Sequence, residues 1–223
     1  MKRLALCTLI LALAAQAALA QQPGKSTTNS DVRSQAADRL GDDDGGTVQI
    51  VPAEVPAVKQ SEARVAPMMK SVRQVSIFLG TAWAEPAVRG RERTLADLSD
   101  RLGELESNKV NLLPSAPSVE DFTDLTKSVV NDLMIQQKLM QMLNSKAAPA
   151  PQAETIYVVF LGAGVKSSVG GHQGGVDYAA YHNLIRTDAG EVAYVVVPFN
   201  DSAERQAAAA SRAVIQTAIN PRD

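Results

Sequence analysis

Residues Thr155 to Pro221 read TIYVVFLGAGVKSSVGGHQGGVDYAAYHNLIRTDAGEVAYVVVPFNDSAERQAAAASRAVIQTAINP. Two runs, Thr155–Leu161 and Val192–Phe199, are rich in β-branched and aromatic residues and are bounded by Gly162 and Asn200, which predicts two strands. Tyr178–Ile185 predicts a third strand, joined to the last by a turn at Asp188-Ala189-Gly190. Asp201 or Ser202 then caps an alanine-rich helix that Pro221 ends. Both histidines of the chain, His172 and His182, fall inside this stretch, so any site is expected here.

Upstream, Gln74–Leu79 (QVSIFL) predicts a buried strand that stops at Gly80, with Trp83, the only tryptophan, just beyond it. Trp83 either caps the core beside the strand end or offers a stacking platform for a sugar. Leu95, Leu98, Leu102 and Leu105 recur at steps of three and four, which predicts one helix over Arg91–Glu106. After a loop at Asn108–Pro117, Ser118 reads as an N-cap with Asp121 at the capping-box position. The helix it opens runs to Asn144, with Phe122, Leu125, Val129, Leu133, Met140 and Leu143 on its apolar side. Met134, Met140 and Met142 read as adaptable core filler. Lys146–Gln152 (KAAPAPQ) is a connector. The order β-α-α-β-β-β-α over residues 71–223 predicts an α/β (α+β) fold, a single sheet of four or more strands with helices packed on it.

The remainder of the chain bounds the setting. Residues 1–20 carry Lys2-Arg3, an apolar run Leu4–Ala15 too short to span a bilayer, and the cleavage pattern Ala18-Leu19-Ala20. They predict a signal peptide, a mature chain from Gln21, secretion or a periplasmic location, and no membrane span after cleavage. Cys7, the only cysteine, lies within it, so the mature chain has neither disulfide nor thiolate chemistry. Losing Lys2 and Arg3 takes the formal charge from −2 to −4, which argues against nucleic acid as a partner. Residues 21–70 have no aromatic residue and are rich in proline, glycine and polar residues, which predicts a disordered arm. Within it, Gln49-Ile50-Val51 and Arg64-Val65 are candidate edge strands, and Asp42-Asp43-Asp44 is a solvated charge run without the spacing of a calcium loop.

No residue set in the stretch forms a recognised catalytic pattern. Gly162-Ala163-Gly164-Val165-Lys166-Ser167 imitates a phosphate loop, but Val165 stands where glycine must precede the Lys-Ser pair. His172 and His182 lack the spacing of a zinc motif. Ser167 or Ser168, His182 and Asp188 can be drawn as a triad, without a nucleophile elbow to support it. No catalytic residue, metal or cofactor is assigned.

Five blocks carry a resemblance: VSIFLGTAW (Val75–Trp83), IYVVFLGAGV (Ile156–Val165), YAAYHNLI (Tyr178–Ile185), AYVVVPF (Ala193–Phe199) and SRAVIQTAINP (Ser211–Pro221). In this order the chain resembles the secreted Exordium-like, or phosphate-induced, family and its bacterial relatives. Those relatives carry a final block S-H-E-x-x-E-A-x-T-D-P, like half of a metalloprotease helix, which implies a metzincin-like layout. Here Arg212, Ala213 and Gln216 stand where that block has its histidine and two glutamates, and Asn220 replaces its aspartate. Arginine does not ligate zinc and alanine is no general base. The resemblance therefore implies a monomeric, non-catalytic domain that binds an extracellular or envelope component, carbohydrate among the candidates, through His182, Tyr181, Arg212, Gln216 and Trp83. In this reading Arg212 and Gln216 face the Tyr181-His182 strand across one cleft. A secreted hydrolase using His182 is the alternative.

Overall fold

The computed structural model describes residues 49–52, 69–125, 129–187 and 190–220. The expected signal peptide, most of the arm, the Asp188-Ala189 turn pair and Pro221 lie outside them. Three long strands run parallel: β2 (Ser71–Leu79), β6 (Thr155–Leu161) and β10 (Gly190–Val197). All seven residues of β6 are buried. Such continuous apolar runs suit strands covered on both faces. β9 (Tyr178–Thr187) returns antiparallel beside β10, and β1 (Gln49–Pro52) pairs antiparallel with its far side. The sheet order is β1-β9-β10-β6-β2, and β2's outer edge takes two short parallel strands, β3 (Asn111–Leu112) and β4 (Val119–Asp121). This is the α/β architecture expected. Within residues 21–70, otherwise expected to be disordered, the candidate edge strand at Gln49-Ile50-Val51 is present as β1 at the sheet edge, and Arg64-Val65 lies outside the described residues.

Each face of the sheet has its own core. On one side the helices α1 (Pro86–Ala96), α2 (Gly103–Ser107) and α4 (Ala203–Ile219) cover Phe78, Val158, Phe160, Ala180, Val195 and Val197. On the other, α3 (Asp132–Asn144) covers Ile77, Tyr157, Val159, Tyr181, Tyr194 and Val196 through Ile135, Leu139 and Met142. A second, small sheet of β5 (Val129–Asn131), β7 (Lys166–Val169) and β8 (His172–Gln173) stands beside α3.

Two expected helices differ. The leucine helix is broken into α1, a 3-10 turn at Ser99–Arg101, and α2, although Leu95, Leu98, Leu102 and Leu105 are all buried. The cause is Gln74, buried on β2. Its amide donates to the carbonyls of Leu95 and Ala96 (both 3.2 Å), and its oxygen accepts the N–H of Leu98 (3.0 Å). Ser76 Oγ donates to the same two carbonyls. Side chains from the sheet thus replace helical partners, and Asp97 becomes extended.

The helix expected from Ser118 starts instead at Asp132, and Asn131 caps it by accepting the Met134 N–H at 3.0 Å. Val119–Asp121 is strand, because the open edge of β2 offers a ladder that local propensity cannot match. Phe122, Val129 and Leu133, expected on the apolar side, are 40–57% exposed.

Replacing Gln74 by alanine strands the buried Leu98 N–H and leaves the Leu95 and Ala96 carbonyls to Ser76 alone. Urea unfolding of Gln74→Ala is expected to show a loss of about 1–3 kcal/mol, and wild-type stability would refute the bridging role.

Candidate functional site

The Tyr181-His182 pair sits on β9 opposite Val196 and Val195 of β10. Successive strand residues point to opposite faces. Tyr181 belongs to the α3 core, while its neighbours Ala180 and Leu184 belong to the α4 core. His182 therefore points toward the α4 layer, away from Tyr181. A bulge precedes the pair: Ala179 and Ala180 both face the α4 layer, and the β1 register shifts there. His182 has no exposed surface, and burial pushes its pKa down to about 4.

The other expected site residues do not gather around it. Along α4 the buried line is Ala207, Ala210, Val214 and Ala218, whose small side chains let the helix approach the sheet closely. Arg212 and Gln216 share the opposite line with Arg205 and Ala208, turned away from the sheet and half-buried. They do not face the Tyr181-His182 strand as expected, because the spacing of four keeps them together but the alanines claim the inward face. Trp83 is fully buried and presents no platform. Its indole N–H donates to the Phe160 carbonyl at 3.1 Å and its ring meets Phe78 edge-on, 4.9 Å between centroids. It closes the gap between the carboxyl ends of β2 and β6, where the chain leaves in opposite directions. Open α/β sheets bind ligands at such points. The Gly162 N–H also bonds to the Leu79 carbonyl there, at 2.8 Å.

The polar centre that the sequence did not indicate lies under α3. Asp132, in the first turn of that helix, accepts from Tyr194 (2.6 Å), Gln136 (2.9 Å) and Asn183 (3.1 Å). Burial, then the Asp132 charge, raises the hydroxyl pKa of both Tyr194 and Tyr181. Phenols so shifted remain protonated donors at physiological pH. The three partners of Asp132 come from α3, β9 and β10, so the cluster pins the helix to both strands. Only Asp132's place among otherwise apolar and amide residues in DLMIQQ hints at it, and sequence spacing cannot show which tyrosines it meets.

Beside this cluster the glycine-rich segment forms a flap. Tyr178 OH donates to the buried Ser167 Oγ (3.0 Å), and Gly174 lies against both. A Cβ at Gly174 would stand 2.1 Å from Ser167 Oγ and 2.7 Å from Pro198, so only glycine fits. Ser167 is buried, and its hydroxyl partner is Tyr178, on the α3 side of β9. His182 faces the other side, so Ser167 and His182 are not brought together; Asp188 lies outside the described residues. The flap's outer residues, His172, Gln173, Val176 and Asp177, are exposed or nearly so. A separate groove of about 380 Å³, lined by Asp97, Leu112, Pro114 and Ser115, lies at the opposite edge of the sheet. Among the described residues no three His, Cys, Asp or Glu side chains are grouped to hold a metal, and no helix is long and apolar enough to cross a membrane.

No family model, no curated protein and no solved structure matches this chain.

The buried imidazole makes stability pH-dependent. Its folded pKa of about 4 lies below the ordinary 6.5, so the folded state holds it neutral. Its contribution is complete above pH 6.5 and is lost as pH falls toward 4. Between pH 7 and 4.5 this term costs about 2–3 kcal/mol. Urea melts of wild type and His182→Gln are expected to diverge by that much over this range. Parallel pH profiles would contradict a sealed imidazole.

Proposed function

We propose that this chain is an exported, non-catalytic binding domain of the Exordium-like kind, directed at an extracellular or envelope component, with polysaccharide as the ligand class to test. The observation that carries the reading is the place of His182. A hydrolytic histidine must reach substrate, water or metal, and this one is sealed between the sheet and the α4 layer. The helix positions that would complete a metal set hold Arg212, Ala213 and Gln216; Ala213 is buried and the other two are half-buried on the side of α4 away from the sheet.

The flap is the contact surface in this reading. It stands at the carboxyl ends of β6 and β10, the end at which α/β sheets present ligand-binding loops. Its outer face offers an imidazole, an amide and the apolar Val176, 65% exposed. That mixture suits the alternating polar and apolar faces of a sugar.

Cosedimentation of the exported chain with cellulose, chitin and peptidoglycan tests the proposal, with mass spectrometry placing its first residue at Gln21. Saturable binding to at least one polymer is expected, insensitive to a chelator and to His182→Gln. The combined His172→Ala, Gln173→Ala and Val176→Asp change should weaken it more than tenfold without lowering stability. Failure to bind, together with a chelator-sensitive peptidase activity lost in His182→Ala, would replace this reading by the hydrolase.

A further inference from the structure

The outer edge of β9 is occupied by a strand that comes from far away in sequence. Sixteen residues separate Pro52 from Met69, the next described residue. The flanking composition, with Asp42-Asp43-Asp44-Gly45-Gly46 before and Pro52, Ala53 and Pro56 nearby, favours no strand of its own. Yet Gln49–Pro52 pairs in a defined antiparallel register: Gln49 with His182, Ile50 with Tyr181, Val51 with Ala180 and Pro52 with Tyr178. A segment of this kind gains its order from the edge it joins.

That edge is bounded at both ends. At Tyr178 the flap intervenes, where the Gly175 N–H takes the Tyr178 carbonyl at 2.8 Å. At the other end Asn183 Oδ1 accepts the N–H of Leu184 at 2.8 Å, so a side chain fills the next ladder position. Proteins commonly close edges in this way against unwanted pairing. Between these two stops β9 leaves a length of backbone matched to four residues, and the bulge at Ala179–Ala180 fixes where the incoming strand must end.

We propose that the outer edge of β9 is a strand-addition site for an extended peptide of the pattern polar, β-branched, β-branched, proline, and that the chain's own Gln49–Pro52 is its resident occupant. Main-chain ladder bonds supply the attraction in this mode of recognition, and the pattern sets the register. Because it belongs to the same chain, the resident strand competes intramolecularly with any outside peptide. An outside peptide therefore gains access when the resident is released. This inference is independent of the polysaccharide reading, since it needs neither export nor any sugar contact by the flap.

The test uses a fluorescein-labelled synthetic peptide with the sequence of residues 47–55, TVQIVPAEV, and the full chain carrying Cys7→Ser. Ile50→Pro with Val51→Pro removes both central N–H groups of the resident strand, whichever of them meets β9. Fluorescence anisotropy is expected to show at least tenfold tighter peptide binding than the unreleased chain. Val51→Cys with Ala180→Cys joins two directly opposed residues at a spacing a disulfide accepts. The oxidised form should exclude the peptide and the reduced form should regain binding, a comparison within one folded molecule that stands even if the proline variant unfolds. Equal binding by oxidised and reduced forms, or no binding by a folded proline variant, overturns the proposal. A disulfide-linked dimer in place of an internal bridge overturns the assignment of the resident in cis and makes a second copy the occupant.

Discussion

Covering a sheet on both faces removes its wet side, and most of this structure follows from that constraint. The central strands can then be apolar throughout, as β6 is. Any polar group placed on them must find its partner inside the protein, because an unmet buried donor or acceptor costs on the order of 1–3 kcal/mol. Gln74 and Ser76 meet the requirement by holding the carbonyls where α1 ends. Asn183 and Tyr194 meet it through Asp132. At His182, burial favours the neutral imidazole, which avoids the larger cost of a buried charge. Gln74, Ser76, Asn183 and Tyr194 carry chemistry-capable atoms, and each is committed to joining one layer to another.

The same constraint explains what could be read from sequence. β-Branched runs at Thr155–Leu161 and Val192–Val197 announce doubly covered strands because no polar residue interrupts them. Ala207, Ala210, Val214 and Ala218 announce the inward line of α4, since helical spacing maps directly onto a face. The four leucines between Leu95 and Leu105 reported burial correctly and continuity wrongly. The break is made by Gln74, some twenty residues earlier, and no local signal at Asp97 reveals it. Val119–Asp121 became strand for a similar reason: the partner that decides the matter, β2, is not nearby in sequence.

The candidate site shows the limit more sharply. Tyr181 and His182 are adjacent in sequence, so they invite a shared role, yet a strand sends neighbours to opposite faces. Spacing correctly put Arg212 and Gln216 together and could not tell which way they looked. Asp132, meanwhile, gathers Tyr194, Asn183 and Gln136 from separate elements, a convergence that only the fold creates. The flap, by contrast, keeps His172, Gln173 and Asp177 at the surface.

The central claim is that His182 is a sealed, neutral member of the sheet. The chain has two histidines, so a proton NMR titration of the full protein reads it directly, with His182→Gln identifying its imidazole resonance. The account predicts no titration of that resonance from pH 8 down to pH 5 and a midpoint at about 4. A midpoint near the ordinary 6.5, or a shift of that resonance on adding zinc, would contradict it.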